Sequence, residues 1–233
     1  MKKIFISSIL IVSAFFLNQC GSMGGILPQQ KEGISQRHTI RPSDQANLYM
    51  FEVFDQVLAF TVPRGFVLYG VKDQFPERKD IGWFLEIRQE KPNQFIYLLS
   101  SNDSYKKPYL QRASLEWIFK MHSTNFMKSC VNDTFSYVRD IDAQKILDNF
   151  EYNTYVFACN SLVGGEMKNV EFLNVTIKGK RAYYTVAWSE HSPSTSMPLI
   201  DKQKWQNRLQ QLLPIELLDS FPETHPGLSK KGE

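Results

Sequence analysis

The stretch from Leu173 to Trp188 constrains the fold most. Leu173, Val175 and Ile177 alternate with Asn174 and Thr176, Lys178-Gly179-Lys180 interrupts them, and Tyr184, Val186 and Trp188 resume the alternation. Strand side chains point to opposite faces in turn, so this period of two marks two strands that each bury one face. A glycine-centred break between them predicts a hairpin, and aromatic and β-branched residues suit its cross-strand pairs.

The same period recurs upstream. Phe51 and Val53, then Leu58, Phe60 and Val62, predict a hairpin about Asp55-Gln56, ended by Pro63-Arg64-Gly65. Phe66 to Val71 is a further strand. Ile81, Trp83, Leu85 and Ile87 share a face, Glu90-Lys91-Pro92-Asn93 turns the chain, and Phe95 to Leu99 returns it. Tyr152 to Cys159 has the same alternating character.

Helical periods fall between these runs. Ser114 caps a helix over Leu115 to Lys128, with Leu115, Ile118, Phe119, His122 and Phe126 on one face, widened by Trp117 and Met121. A shorter helix is predicted over Asp142 to Phe150. Asp201 caps a last one, striped by Trp205, Leu209 and Leu212 and stopped by Pro214, after which Ile215, Leu217 and Leu218 dock on the core. Adjacent hairpins with single helices between them predict an α+β fold: an antiparallel sheet of hairpins with helices packed on one face.

Of 233 residues, 42% are apolar and 13% aromatic, which excludes an intrinsically disordered chain. The formal charge of +3 includes Lys2 and Lys3 at the extreme N-terminus. No basic stripe stands out, which argues against nucleic acid as a partner.

The N-terminus carries its own signal. Met1-Lys2-Lys3 precedes an apolar run from Ile4 to Leu17, and Asn18-Gln19-Cys20 follows. A basic start and a short apolar run describe an export signal, and the run falls short of the about 20 apolar residues that span a bilayer. Leu17-Asn18-Gln19-Cys20-Gly21-Ser22 resembles the lipobox of bacterial lipoproteins, with Gln19 where that family usually has a small residue. The resemblance covers this N-terminal segment and names no family for the rest. It implies lipidation of Cys20, removal of residues 1–19, and attachment to the cell envelope. Gly21 after the cysteine resembles lipoproteins sent to the outer membrane, which would place the domain in the periplasm. An ordinary signal cut within Gly21 to Gly25 is the alternative. The division expected is therefore 1–19 signal peptide, 20–45 lipidated cysteine and tether, 46–220 one globular domain, and 221–233 a loose tail.

Besides Cys20, the chain has Cys130 and Cys159. In an exported domain they allow one pairing, a disulfide closing a loop of about 29 residues. Two buried thiols are the alternative. Neither cysteine has a second cysteine or a histidine at ligand spacing, so no metal site is expected, and no cofactor motif is present.

Catalytic templates are absent: no G-x-S-x-G, no H-E-x-x-H, no phosphate loop, no C-x-x-C. His191 is the best-placed histidine, following Trp188-Ser189-Glu190 at a strand end beside Ser192, Ser194 and Ser196. A hydrolase would still need a nucleophile, an orienting acid and an oxyanion site together. Tyr183, Trp188 and His191 form the candidate ligand or partner surface. The expected function is that of a non-enzymatic lipoprotein, held to a membrane by its lipid and binding a protein partner in an envelope or secretion assembly. A ligand-binding or substrate-delivery lipoprotein is the alternative, and a hydrolase using His191 stands behind both.

Overall fold

The computed structural model describes residues 38–42, 46–54, 56–73, 82–89, 93–102, 114–131, 134–142, 147, 149–162, 169–180, 182–193 and 199–222. Along these run β1 (His38–Pro42), β2 (Ala46–Val53), β3 (Gln56–Pro63), β4 (Phe66–Asp73), β5 (Gly82–Gln89), β6 (Gln94–Asn102), α1 (Leu115–Ser129), β7 (Ser136–Arg139), β8 (Tyr152–Cys159), β9 (Asn169–Lys178), β10 (Ala182–Ser192), α2 (Lys202–Leu212) and β11 (Ile215–Leu218). No helix among the described residues is long and apolar enough to cross a membrane.

The strands make two antiparallel sheets. One has four strands in the order β1-β2-β3-β11, the other seven in the order β4-β5-β6-β10-β9-β8-β7. Antiparallel sheets with two helices are thus the architecture, as the hairpin pattern predicts. The single sheet covered on one face is corrected. β9 and β10 are buried on both faces over most of their length, so each face needs its own cover.

The register shows which face meets what. Leu173, Val175, Ile177, Val186 and Trp188 pack against Tyr49, Phe51, Leu58 and Phe60 of the smaller sheet and against Trp205, Leu209 and Leu212 of α2. The alternate residues face the other way. Tyr155 and Phe157 cluster with Phe119 and Phe126, Tyr183 with Ile118, and Phe172 with Cys130 and Cys159. The two helices therefore engage opposite faces of the seven-stranded sheet.

The two sheets are tied at their turns. The Gln56 side chain accepts the Lys180 N–H at 2.7 Å, and the Tyr184 hydroxyl donates to the Val53 carbonyl at 2.8 Å. A Cβ at Gly179 would come within 2.6 Å of both Gln56 Oε1 and the Tyr184 ring, so this turn needs a glycine to let the sheets approach. The β2–β3 turn lacks the favoured Asn-Gly or Asp-Gly pair, and Phe54 takes up the left-handed conformation instead, at φ 51°.

The hairpins β2–β3, β5–β6 and β9–β10 form as the alternation predicts. Ser114 caps α1 by accepting the Trp117 N–H at 3.1 Å, and Asp201 caps α2 by accepting the Lys204 N–H at 3.1 Å. β7 and β11 are strands where none is expected, and three further points differ. β1 lies in the expected tether and pairs with β2 from His38↔Phe51 to Pro42↔Asn47. Its sequence, His-Thr-Ile-Arg-Pro, carries no alternating apolar pattern. Of the short helix expected over 142–150, Asp142, Leu147, Asn149 and Phe150 are described and none is helical; its other residues lie outside the described set, as does most of 221–233. Trp117 does not widen the buried face of α1 but is 43% exposed, because Glu116 and Phe119 turn toward β7 and successive helical residues point about 100° apart.

Candidate functional site

Two polar constellations and a few exposed apolar side chains stand out among the described residues. The first arises from the β9–β10 register, which sets Glu171 directly opposite Glu190 on the face that meets α2. Like charges so placed repel. α2 answers with Lys204 and Arg208, one helical turn apart and beside the buried Trp205. Glu171 Oε1 accepts from Lys204 Nζ at 2.9 Å and Glu171 Oε2 from Trp205 Nε1 at 2.6 Å. Glu190 Oε1 accepts from Arg208 Nε at 2.7 Å, and Glu190 Oε2 lies 3.0 Å from Lys204 Nζ. All four carboxylate oxygens are thereby engaged by donors of α2. Burial works against the Lys204 charge, but the hydrogen bonds and charges of Glu171 and Glu190 outweigh it and raise its pKa. The arrangement suits docking of a helix better than proton transfer, since a general acid or base needs an oxygen open to substrate.

The second constellation runs beneath α1. His122 Nδ1 lies 2.7 Å from the Tyr155 hydroxyl, which lies 3.1 Å from Thr176 Oγ1, itself 3.1 Å from Thr185 Oγ1. The chain crosses from α1 over β8 and β9 to β10, linking one side chain on each. Burial pushes the His122 pKa down to about 4, so its imidazole is uncharged at neutral pH. Burial likewise pushes the Tyr155 hydroxyl up, so it keeps its proton. The histidine on the apolar face of α1 is satisfied by a partner rather than aimed at a ligand.

Cys130 and Cys159 lie in one buried cluster, as thiols and not as a disulfide. Cys130 Sγ donates to the Phe126 carbonyl at 3.3 Å and Cys159 Sγ to the Ser161 carbonyl at 3.3 Å. Cys20 lies outside the described residues.

Tyr183, Trp188 and His191 do not make one surface. Trp188 is 1% exposed between the sheets, with the Phe66 ring edge-on at 5.4 Å and the Arg208 guanidinium 5.0 Å from its ring centre. Tyr183 is buried on the opposite face, under Ile118 of α1. His191 shares the Tyr183 face but sits at the far end of β10, its ring 5.3 Å from that of Phe95. The expected ligand or partner surface is corrected on this ground: β10 is covered on both sides, so Trp188 and Tyr183 become core on opposite faces.

The exposed aromatic residues are elsewhere. Trp117 and Met127 of α1 are 43% and 44% exposed, and Tyr137 of β7 is 51% exposed. Lys120, Thr124 and Lys128 are exposed on the same helix. Beside it, Arg139 pairs with Glu116 at 2.7 Å and stacks over the Phe119 ring at 4.3 Å. Trp117 is expected above to widen the buried face, although its position outside the i, i+3, i+4 set of α1 is a signal that could have marked it as exposed. No sequence signal marked Glu171 with Glu190, because their meeting depends on register.

No group of three or more His, Cys, Asp or Glu residues is placed to hold a metal ion among the described residues. No protein-family model matches the sequence, and no curated protein matches it. Among solved structures, the Ran-binding protein Mog1p of Saccharomyces cerevisiae is similar over 67% of this chain and 79% of that chain, at 10% identity and a TM-score of 0.35. A likeness at that level carries no weight for function.

Proposed function

We propose that this chain is a lipid-anchored bacterial envelope protein, non-enzymatic, whose folded part binds a protein partner in an envelope or secretion assembly. The observation that carries the proposal is the N-terminal sequence: Lys2-Lys3, the apolar run Ile4 to Leu17, and Cys20 followed by Gly21. Lipid on Cys20 gives stable attachment, because several acyl chains contribute about 0.8 kcal/mol per buried CH₂. The outer membrane, periplasmic side, is the destination that Gly21 favours.

Partner binding is favoured by where the aromatic residues stand. Tryptophan, tyrosine and methionine are enriched at the centres of protein interfaces, and Trp117, Tyr137 and Met127 are exposed on α1 and β7. Glu171, Glu190 and His122, three groups of the kind an active site uses, are taken up by contacts within the fold.

Intact mass spectrometry of the protein from its host tests the anchor. A product beginning at an acylated Cys20, lost in Cys20→Ala, is expected; an unacylated product cut elsewhere overturns it. Cross-linking in whole envelopes tests the partner. Trp117→Ala with Tyr137→Ala should remove a cross-linked species that the wild type gives, and an identical pattern in both defeats the partner reading while leaving the anchor untouched.

A further inference from the structure

Cys130 and Cys159 come from elements far apart in sequence and meet at one corner of the fold. Cys130 caps α1, its N–H donating to the Met127 carbonyl at 3.1 Å, and Cys159 ends β8. The segments that follow them are stitched together. Val131 N–H donates to the Ser161 carbonyl at 2.8 Å, Asn160 N–H donates to Thr134 Oγ1 at 3.2 Å, and Cys130 forms an isolated antiparallel bridge with Leu162. Both side chains are buried in the same cluster, with Val170, Phe172 and Ala187. The thiols also feel each other: the neighbouring Cys159 side chain, then burial, pushes the Cys130 thiol far above its ordinary pKa.

We propose that Cys130 and Cys159 close a disulfide as the chain folds in an oxidising compartment, fastening the C-terminal end of α1 to β8. The compartment rests on the envelope reading above; the juxtaposition does not. The bond forms during folding, because the native thiols are buried and Cys130 is held protonated. One cysteine thiolate attacks a sulfur of a disulfide oxidant, breaking its S–S bond and releasing one oxidant thiolate. The second cysteine thiolate then attacks the mixed disulfide, forming the Cys130–Cys159 bond and releasing the other. Two cysteine thiols lose their protons to solvent, and the electron pair leaves on the reduced oxidant.

The bond would matter because of what α1 carries. Ile118 and Phe119 are the helix residues buried against the sheet, and both lie in its first half. The second half is held by the half-buried Phe126 and by Cys130 at the end. A disulfide there fixes the half of the helix that presents Met127.

The experiment uses the full chain carrying Cys20→Ala, so that Cys130 and Cys159 are its cysteines. The chain is reduced in urea, refolded with a mixture of reduced and oxidised glutathione, quenched in acid, alkylated and digested. A peptide pair linked through Cys130 and Cys159 is expected, and reducing it should raise the unfolding equilibrium constant by on the order of 10²-fold or more for a loop of this length. Separate peptides, each alkylated or each carrying glutathione, overturn the proposal. The same digest on wild-type protein from its host separates the two readings: linkage on refolding without linkage in the cell leaves the juxtaposition standing and sinks the oxidising compartment.

Discussion

The two faces of the seven-stranded sheet are covered by different chemistry. On one, α2 and the smaller sheet enclose an aromatic and aliphatic core, and Trp205, Leu209 and Leu212 of α2 are all but fully buried. The charged groups of that helix lie on the rim, where Lys204 and Arg208 hold Glu171 and Glu190. On the other face, α1 buries Ile118 and Phe119, leaves Trp117 and Met127 largely outside, and has the hydrogen-bonded chain from His122 to Thr185 running beneath it. Lifting α2 would expose three buried apolar side chains and set two carboxylates against each other. Lifting α1 would expose fewer, and would break the His122–Tyr155 bond, the bond from Asn153 to the Leu115 carbonyl and the Glu116–Arg139 pair, whose two side chains are more than a third exposed. Elements with few buried contacts open at lower free energy, so α1 is the cover that opens at least cost.

The largest effect should come from the α2 face. Trp205→Ala removes a fully buried indole and its bond to Glu171, and should lower unfolding stability by about 4 kcal/mol, whereas Ile118→Ala on α1 should cost about 2 kcal/mol. Denaturant unfolding of the two variants reads both. The reverse ranking would break the comparison, since it would make α1 the more tightly held cover.

The rim gives a second, smaller test. Lys204→Met keeps an aliphatic stem over the Trp205 ring but removes the cation shared by Glu171 and Glu190. With Arg208 still in place and the site partly open to water, the cost should be about 2 kcal/mol rather than that of a deeply buried pair. Adding Glu190→Gln to Lys204→Met should restore much of the loss. If Lys204→Met unfolds at the wild-type midpoint, the carboxylates are screened by solvent and the rim does not hold α2.

Much of this fold is legible in the sequence, because alternating apolar residues state their own period. The strands of β2, β3, β9 and β10, the Ser114 and Asp201 caps and the stripe of α2 all follow from neighbours a few residues apart. What escapes is set at long range. β1 is a polar edge strand whose existence depends on β2 being beside it. The two-sided burial of β9 and β10 needs two covers, and nothing local says where the second one comes from. The site suffers most from this. Trp188 and Tyr183 have the residue types of a binding surface, but register sends them to opposite faces and into two different cores. Glu171 and Glu190, nineteen positions apart along the chain, meet only because the Lys178 to Lys180 turn pairs β9 with β10 in that register.

The polar chain under α1 gives the finest test, through pH. His122 has a folded-state pKa of about 4, against about 6.5 when unfolded. Between those values the unfolded chain binds more protons at this site than the folded one, so stability must rise with pH across the window. The contribution is complete above pH 6.5 and is lost as pH falls toward 4. His122 keeps some contact with solvent, which allows the charged ring to relax, so the loss should be on the order of 1 kcal/mol rather than the full value of the shift. His122→Gln retains a group able to accept from Tyr155 but has no charge to gain. The difference in stability between wild type and His122→Gln, measured by denaturant at several pH values, should therefore shrink or reverse as pH falls through this window. The α2 face has no counterpart from Lys204, whose raised pKa keeps it charged throughout. A constant difference across the window would mean that protonated His122 is accommodated as well as the neutral form. The cover formed by α1 would then be no more sensitive to acid than that formed by α2, and the contrast between the two faces would reduce to packing alone.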